Sequence, residues 1–111
     1  MATIKSYSDL QQSKKLAEFL PLESADMQWI IDDLGESFPF PINDRVNENE
    51  EPCWSLAALL SVLPDYTLQD NPNGTVFVVS EKEKPIMSDD YDNPVDACVA
   101  MVEKLHELNL L

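Results

Sequence analysis

A chain of 111 residues with 44% hydrophobic content, two Trp, four Phe and three Tyr has the length and apolar supply of one domain with its own core, and folding at this size buries roughly two-thirds of the extended surface, so neither a disulfide nor a structural metal is required. Twenty-one Asp and Glu against seven Lys and Arg give a formal charge of −14, which opposes nucleic-acid backbones and anionic membranes as direct partners and favours basic protein surfaces. Lys5 and Ser6 follow Met1–Ile4 without the apolar run of a secretory signal, and uncharged Pro52–Pro64 is too short to span a bilayer, so the expectation is a cytoplasmic protein in which Cys53 and Cys98 are free thiols.

Taken in chain order, Tyr7-Ser8-Asp9-Leu10-Gln11 reads as a helix start, with the Ser8 hydroxyl accepting from the Gln11 amide and the Gln11 side chain reaching back. Leu10, Ser13, Ala17 and Leu20, joined by Leu16 and Phe19, form an inward stripe; Lys14 and Glu18 pair on the outer side, and Pro21 ends the helix. Asp26–Ile31 has aromatic and β-branched weight and predicts a short strand. Residues 32–51 turn polar, proline-bearing and acidic, and predict a long loop that either hides a short strand or has a task of its own.

Leu56, Leu59, Leu60 and Leu63 fall at helical spacing in the uncharged segment from Pro52, with Ala57 and Ala58 on the other side. That predicts a buried central helix whose start is either Ser55 as N-cap or Pro52 at the first helical position, and whose stop is Pro64. Tyr66–Gln69 and Thr75–Ser80 flank Asn73-Gly74 and predict a β-hairpin, and Pro85–Ser88 predicts a returning edge strand. Asn93-Pro94-Val95-Asp96 is a helix start with Asn93 as cap; Val95, Cys98, Val99, Met101, Val102, Leu105 and Leu108 face inward, while Asp96, Glu103, Lys104 and Glu107 face water.

The sum is one α+β domain in which a small antiparallel sheet of three to four strands packs with three helices in the order α-β-α-β-β-β-α, the Trp29 strand being the candidate fourth strand.

Chemistry is sparsely signalled. Two Cys and one His lack zinc-ligand spacing, and Asp90 and Asp92 lack the glycine and closing glutamate of a calcium loop. Cys98 and His106 stand about 12 Å apart along one helix, too far for a thiolate–imidazole pair, and Gly35 and Gly74 cannot form a phosphate-cradling loop. No cofactor, metal or catalytic residue is therefore assigned. The candidate partner-contact residues are Asp32, Asp33, Glu36, Phe38, Phe40, Glu48, Glu50 and Glu51, which offer aromatic anchors inside a negative rim in a stretch whose lone cation is Arg45, and suit a basic protein; the competing reading is that Phe38 and Phe40 simply cover a sheet face.

The blocks Trp54–Pro64, Asn93–Cys98 with Lys104–Leu108, and Leu10–Leu22 resemble small proteins of gut Bacteroides-type bacteria and their phages or mobile elements. The resemblance implies a bacterial or phage-derived cytoplasmic protein and implies no activity; residues 32–51 fall outside it. The expectation is a non-enzymatic protein that binds a basic partner protein, with two alternatives: a nucleic-acid-mimicking inhibitor of a DNA- or RNA-binding protein, which charge reversal at Glu48, Glu50 and Glu51 would disable, and a small-ligand binder or enzyme that gathers Cys53, His106 and carboxylates from separate elements. An edge strand at Pro85–Ser88 or an exposed helix stripe leaves monomer and homodimer equally open.

Overall fold

The computed structural model describes residues 6–31, 33–41, 51–63, 65–81 and 85–109. Its elements are α1 (Leu10–Leu16), a single 3-10 turn (Leu22–Ser24), β1 (Met27–Ile31), β2 (Ser37–Pro41), β3 (Glu51–Cys53), α2 (Leu56–Val62), β4 (Tyr66–Asp70), β5 (Val76–Glu81), β6 (Pro85–Met87) and α3 (Pro94–Glu107). The α+β class and the helix–strand order hold, and the strands form two antiparallel sheets of three, β2-β1-β3 and β4-β5-β6. The Trp29 strand does not extend the hairpin sheet; it is the centre of the other one.

Segment 32–51, expected as a loop, contributes β2 and begins β3. The prolines that hid β2 are compatible with it because of register. Pro39 lies opposite Trp29, Pro41 opposite Met27, and on the other side of β1 Pro52 lies opposite Gln28. A proline cannot donate, so these must be the non-hydrogen-bonded pairs of each ladder, with each ring nitrogen turned away from β1. Phe38 and Phe40 then carry the bonding groups of β2, and Glu51 and Cys53 those of β3.

The first helix starts one residue later than the Ser8 reading. Asp9 is the cap, its Oδ1 accepting from the Gln12 amide at 2.8 Å, while Gln12 Oε1 accepts from the Asp9 amide at 3.0 Å. Ser8 is instead fully buried, and its Oγ accepts from the Trp54 amide at 3.1 Å and bonds Ser13 Oγ at 2.8 Å. Both positions satisfy the capping-box pattern; the need of a buried Trp54 amide for an acceptor selects Asp9 over Ser8.

For α2 the structure chooses Ser55, whose Oγ accepts from the Ala58 amide, while Pro52 belongs to β3. Asp26 braces the cap by accepting from both the amide and the hydroxyl of Ser55. Leu63, directly before Pro64, leaves the helix at ψ 127, the extended conformation forced on a residue preceding proline. Ser55→Ala is expected to cost about 1 kcal/mol in urea unfolding. An unchanged midpoint would mean that Asp26, not the hydroxyl, holds this helix start.

The hairpin turn closes with the Gly74 amide donating to Asn71 O at 3.0 Å and the Asn71 amide donating to Thr75 O at 2.8 Å. Gly74, at φ +91, occupies the left-handed region that a side chain disfavours. Asn93 caps α3 as expected, with Pro94 in the first turn and Asn93 Oδ1 accepting from the Asp96 amide at 2.8 Å. Leu108 does not face inward: it is the C-cap residue, half exposed, and Asn109 at φ +58 then turns the chain aside.

The core joins Leu16 and Leu20 beside α1, Trp54, Ala58, Leu59 and Leu63 around α2, Val76 and Val78 of β5, and the buried face of α3 from Val95 to Leu105. Helix α3 packs against β5, α2 and α1, and α1 against β3, so α3 joins the other two helices to the hairpin sheet.

Candidate functional site

Two polar networks, one buried and one half-buried, occupy the places where a reactive group would be sought. In the first, Ser8 Oγ and Ser13 Oγ are bonded, Ser13 Oγ accepts from Trp29 Nε1 at 3.0 Å, and Cys53 Sγ donates to Ser8 O at 3.4 Å. Burial pushes the Cys53 thiol up, outweighing the Ser8 and Ser13 hydrogen bonds that oppose it; the charges of Asp26 and Asp9 raise it further. The site favours a neutral thiol acting as a hydrogen-bond donor. In the second network, the Asp96 carboxylate accepts from Gln12 Nε2 at 2.9 Å and Asn93 Nδ2 at 2.9 Å, tying the start of α1 to the start of α3. A shallow groove of about 320 Å³ lies over it, between Asp9, Gln12, Tyr91, Asp96 and Glu103. Burial, followed by Asp89, Glu103 and Asp96, pushes the Tyr91 hydroxyl up.

A second groove of about 460 Å³ runs between the 3-10 turn and α2, with Ala25, Ala57, Ala58 and Val62 among its lining residues and Glu23 and Asp26 beside them. The Asp26 carboxylate is engaged by Ser55 and the Ser24 hydroxyl by Trp54 Nε1 at 2.9 Å.

The thiols and the imidazole occupy different surroundings. Cys98 is fully buried in the core, Cys53 is held to Ser8, and the exposed His106 stacks its ring on Phe19 with centroids 4.1 Å apart and planes at 9°. Among the described residues no hydrogen bond joins either thiol to His106, and no group of three His, Cys, Asp or Glu side chains is arranged to hold a metal ion. Asp90, considered as a calcium ligand, accepts from Asn71 Nδ2 at 2.9 Å and so braces the β4–β5 turn.

The described members of the sequence-derived contact set fall at the tip of the β1–β2 hairpin, on β2 and at the start of β3. Asp33 and Glu36 are exposed in the connecting turn, which Gly35 completes at φ +81. Phe40 is 52% exposed, so it does not behave as a buried cover of the sheet. Because cross-strand partners share a face and successive residues alternate, Phe40 lies on the face of Gln28 and Pro52, whereas Glu51 lies on the opposite face with Trp29. Asp32, Glu48 and Glu50 lie outside the described residues, as does Arg45, and of Phe38 only the backbone pairing with Ile30 is described. The residue the sequence reading passed over is Leu34, 85% exposed between Asp33 and Gly35; its position beside a glycine in an acidic turn was the available signal.

Compared with known proteins, the chain matches no family model, no curated protein and no solved structure. Among the described residues no helix is long and apolar enough to cross a membrane.

Proposed function

We propose that this chain is a non-enzymatic cytoplasmic protein that acts by binding a basic partner protein, with the tip and outer side of the β1–β2 hairpin as the contact. The observation that carries this reading is the acidic turn in which Asp33 and Glu36 flank Leu34, a large apolar side chain 85% exposed, with Phe40 half exposed on the adjoining strand. Apolar anchors surrounded by like charge give an interface both desolvation energy and selection by sign. A chain with a formal charge of −14 also attracts basic surfaces from beyond contact range at low salt.

The reading predicts a salt-sensitive complex. With the chain immobilised, a basic protein held at 50 mM salt is released by 500 mM, because screening shortens the electrostatic range to a few ångströms. The double variant Asp33→Lys/Glu36→Lys is expected to weaken that capture about tenfold, and Phe40→Ala to do so by a similar factor without altering its salt dependence. Equal capture by wild type and both variants would sink this site. Adding DNA or RNA in competition separates a nucleic-acid-mimicking inhibitor, which would displace nucleic acid from the captured protein, from a simple protein-binding partner.

A further inference from the structure

Four strand edges bound the two sheets, and three of them are blocked by the same device. The register turns the ring nitrogens of Pro39 and Pro41 on β2, and of Pro52 on β3, away from the sheet centre. On β6, Pro85 lies opposite Glu81 and likewise offers no outward donor, and the carbonyl of Met87 is taken by Lys104 Nζ at 2.7 Å. Proline and lysine are the ordinary means of keeping a sheet edge from pairing with another chain.

The outer edge of β4 has neither. Its orientation follows from the hydrogen bonds on either side: Val76 exchanges main-chain bonds with Tyr91, Val78 accepts from the Ser88 amide and donates to Ser88 Oγ on the β6 side, and the Asn71 amide donates to Thr75 O across the hairpin. By alternation, Thr67 and Gln69 bond to β5, and the N–H and C=O groups of Tyr66, Leu68 and Asp70 point outward. Among the described residues nothing bonds to these six groups, and four of the five β4 residues are exposed. Among the described residues, β4 and the residue before it carry the charges Asp65 at one end and Asp70 at the other, and no Lys or Arg occurs in the sequence from Val46 to Glu81.

The geometry points to the outer edge of β4 as a docking edge for one extended, lysine- or arginine-rich segment of another protein, which adds to the β4-β5-β6 sheet as a fourth strand. Main-chain hydrogen bonds to Tyr66, Leu68 and Asp70 supply the sequence-independent part of such binding, and the acids at both ends select a basic strand. A second copy of this chain is the disfavoured occupant, because each copy brings a formal charge of −14 and the same two aspartates to the contact. This edge is separate from the β1–β2 hairpin and does not depend on it.

The test uses the full chain with two capped seven-residue probes, one alternating Lys and Val and the other alternating Glu and Val, at 50 mM salt. Hydrogen exchange of the Tyr66, Leu68 and Asp70 amides is expected to slow at least about tenfold with the lysine probe and to stay unchanged with the glutamate probe. Asp70→Pro removes one outward donor and leaves the inward bonds of Gln69 and Asn71 in place, so it should weaken the lysine probe about fivefold beyond the effect of Asp70→Asn, which removes the charge alone. Absence of protection, equal protection by both probes, or probe-free protection that grows with protein concentration would each overturn the proposal, the last by assigning the edge to a second copy. Protection of β4 that survives Asp33→Lys/Glu36→Lys would uphold this edge even where the hairpin reading fails.

Discussion

Replacing Trp54 with alanine is expected to remove about 4 kcal/mol of stability, about a quarter or more of what a domain of this size typically has. Trp54 has no exposed surface and joins three parts of the chain. Its amide donates to Ser8 Oγ, its carbonyl accepts from the Ser8 amide at 2.8 Å, and its indole Nε1 donates to Ser24 Oγ. Truncation opens a cavity among Leu16, Ala58 and Leu59 of the same core and leaves the Ser24 oxygen without its donor. Trp54→Phe retains most of the apolar volume and loses the indole bond, so it should cost about 1–2 kcal/mol. Urea unfolding of the three proteins measures both steps. A Trp54→Ala cost below about 1 kcal/mol would mean that this side chain is not the joint between the first sheet and the helices.

The second large effect is a loss of stability in alkali. Cys98 is fully buried among apolar side chains on α3, and desolvation pushes its thiol up to about 12, against an ordinary value of 9.0. Above pH 9 the unfolded chain gives up this proton while the folded chain keeps it, so the folded state binds more protons and stability must fall as pH rises. The contribution is intact below pH 9, declines by about 1.4 kcal/mol per pH unit through the interval, and is lost near pH 12. The Cys53 thiol and the Tyr91 hydroxyl, both raised, add to the decline in the same direction. Cys98→Ala lowers stability at neutral pH by leaving a small void, but it should flatten the slope between pH 9 and 10.5 by about one proton's worth. Parallel slopes for the two proteins would show that Cys98 ionises as freely folded as unfolded.

Local signals were legible wherever the chain settles a matter with its neighbours in sequence. Asn93 followed by Pro94 and Asp96 favours a helix start, Asn73-Gly74 between two β-branched runs favours a turn, and the Leu59–Leu63 spacing buries one face whatever lies opposite. The misread points share a different character. Ser8 and Asp9 offer equivalent capping patterns, and the choice belongs to the buried amide of Trp54, which is remote in sequence. Ser37–Pro41 looks unlike a strand until the register with β1 turns both proline nitrogens outward. Leu108 continues the helical spacing but follows the last inward residue, where the left-handed Asn109 diverts the chain.

The candidate surfaces divide in the same way. Composition alone set the formal charge of −14 on which the proposed basic partner rests, since an excess of carboxylates disfavours polyanions in any fold. It could not separate Phe40 from Glu51 onto opposite faces, expose Leu34 at a turn, or leave β4, among the described residues, as the edge without a proline or lysine guard. Helix starts, turns and net charge are set by residues adjacent in the chain, so the sequence by itself determined them. Which cap is used, which strands share a sheet and which backbone groups face outward depend on pairing across long separations, and only the tertiary structure decides those.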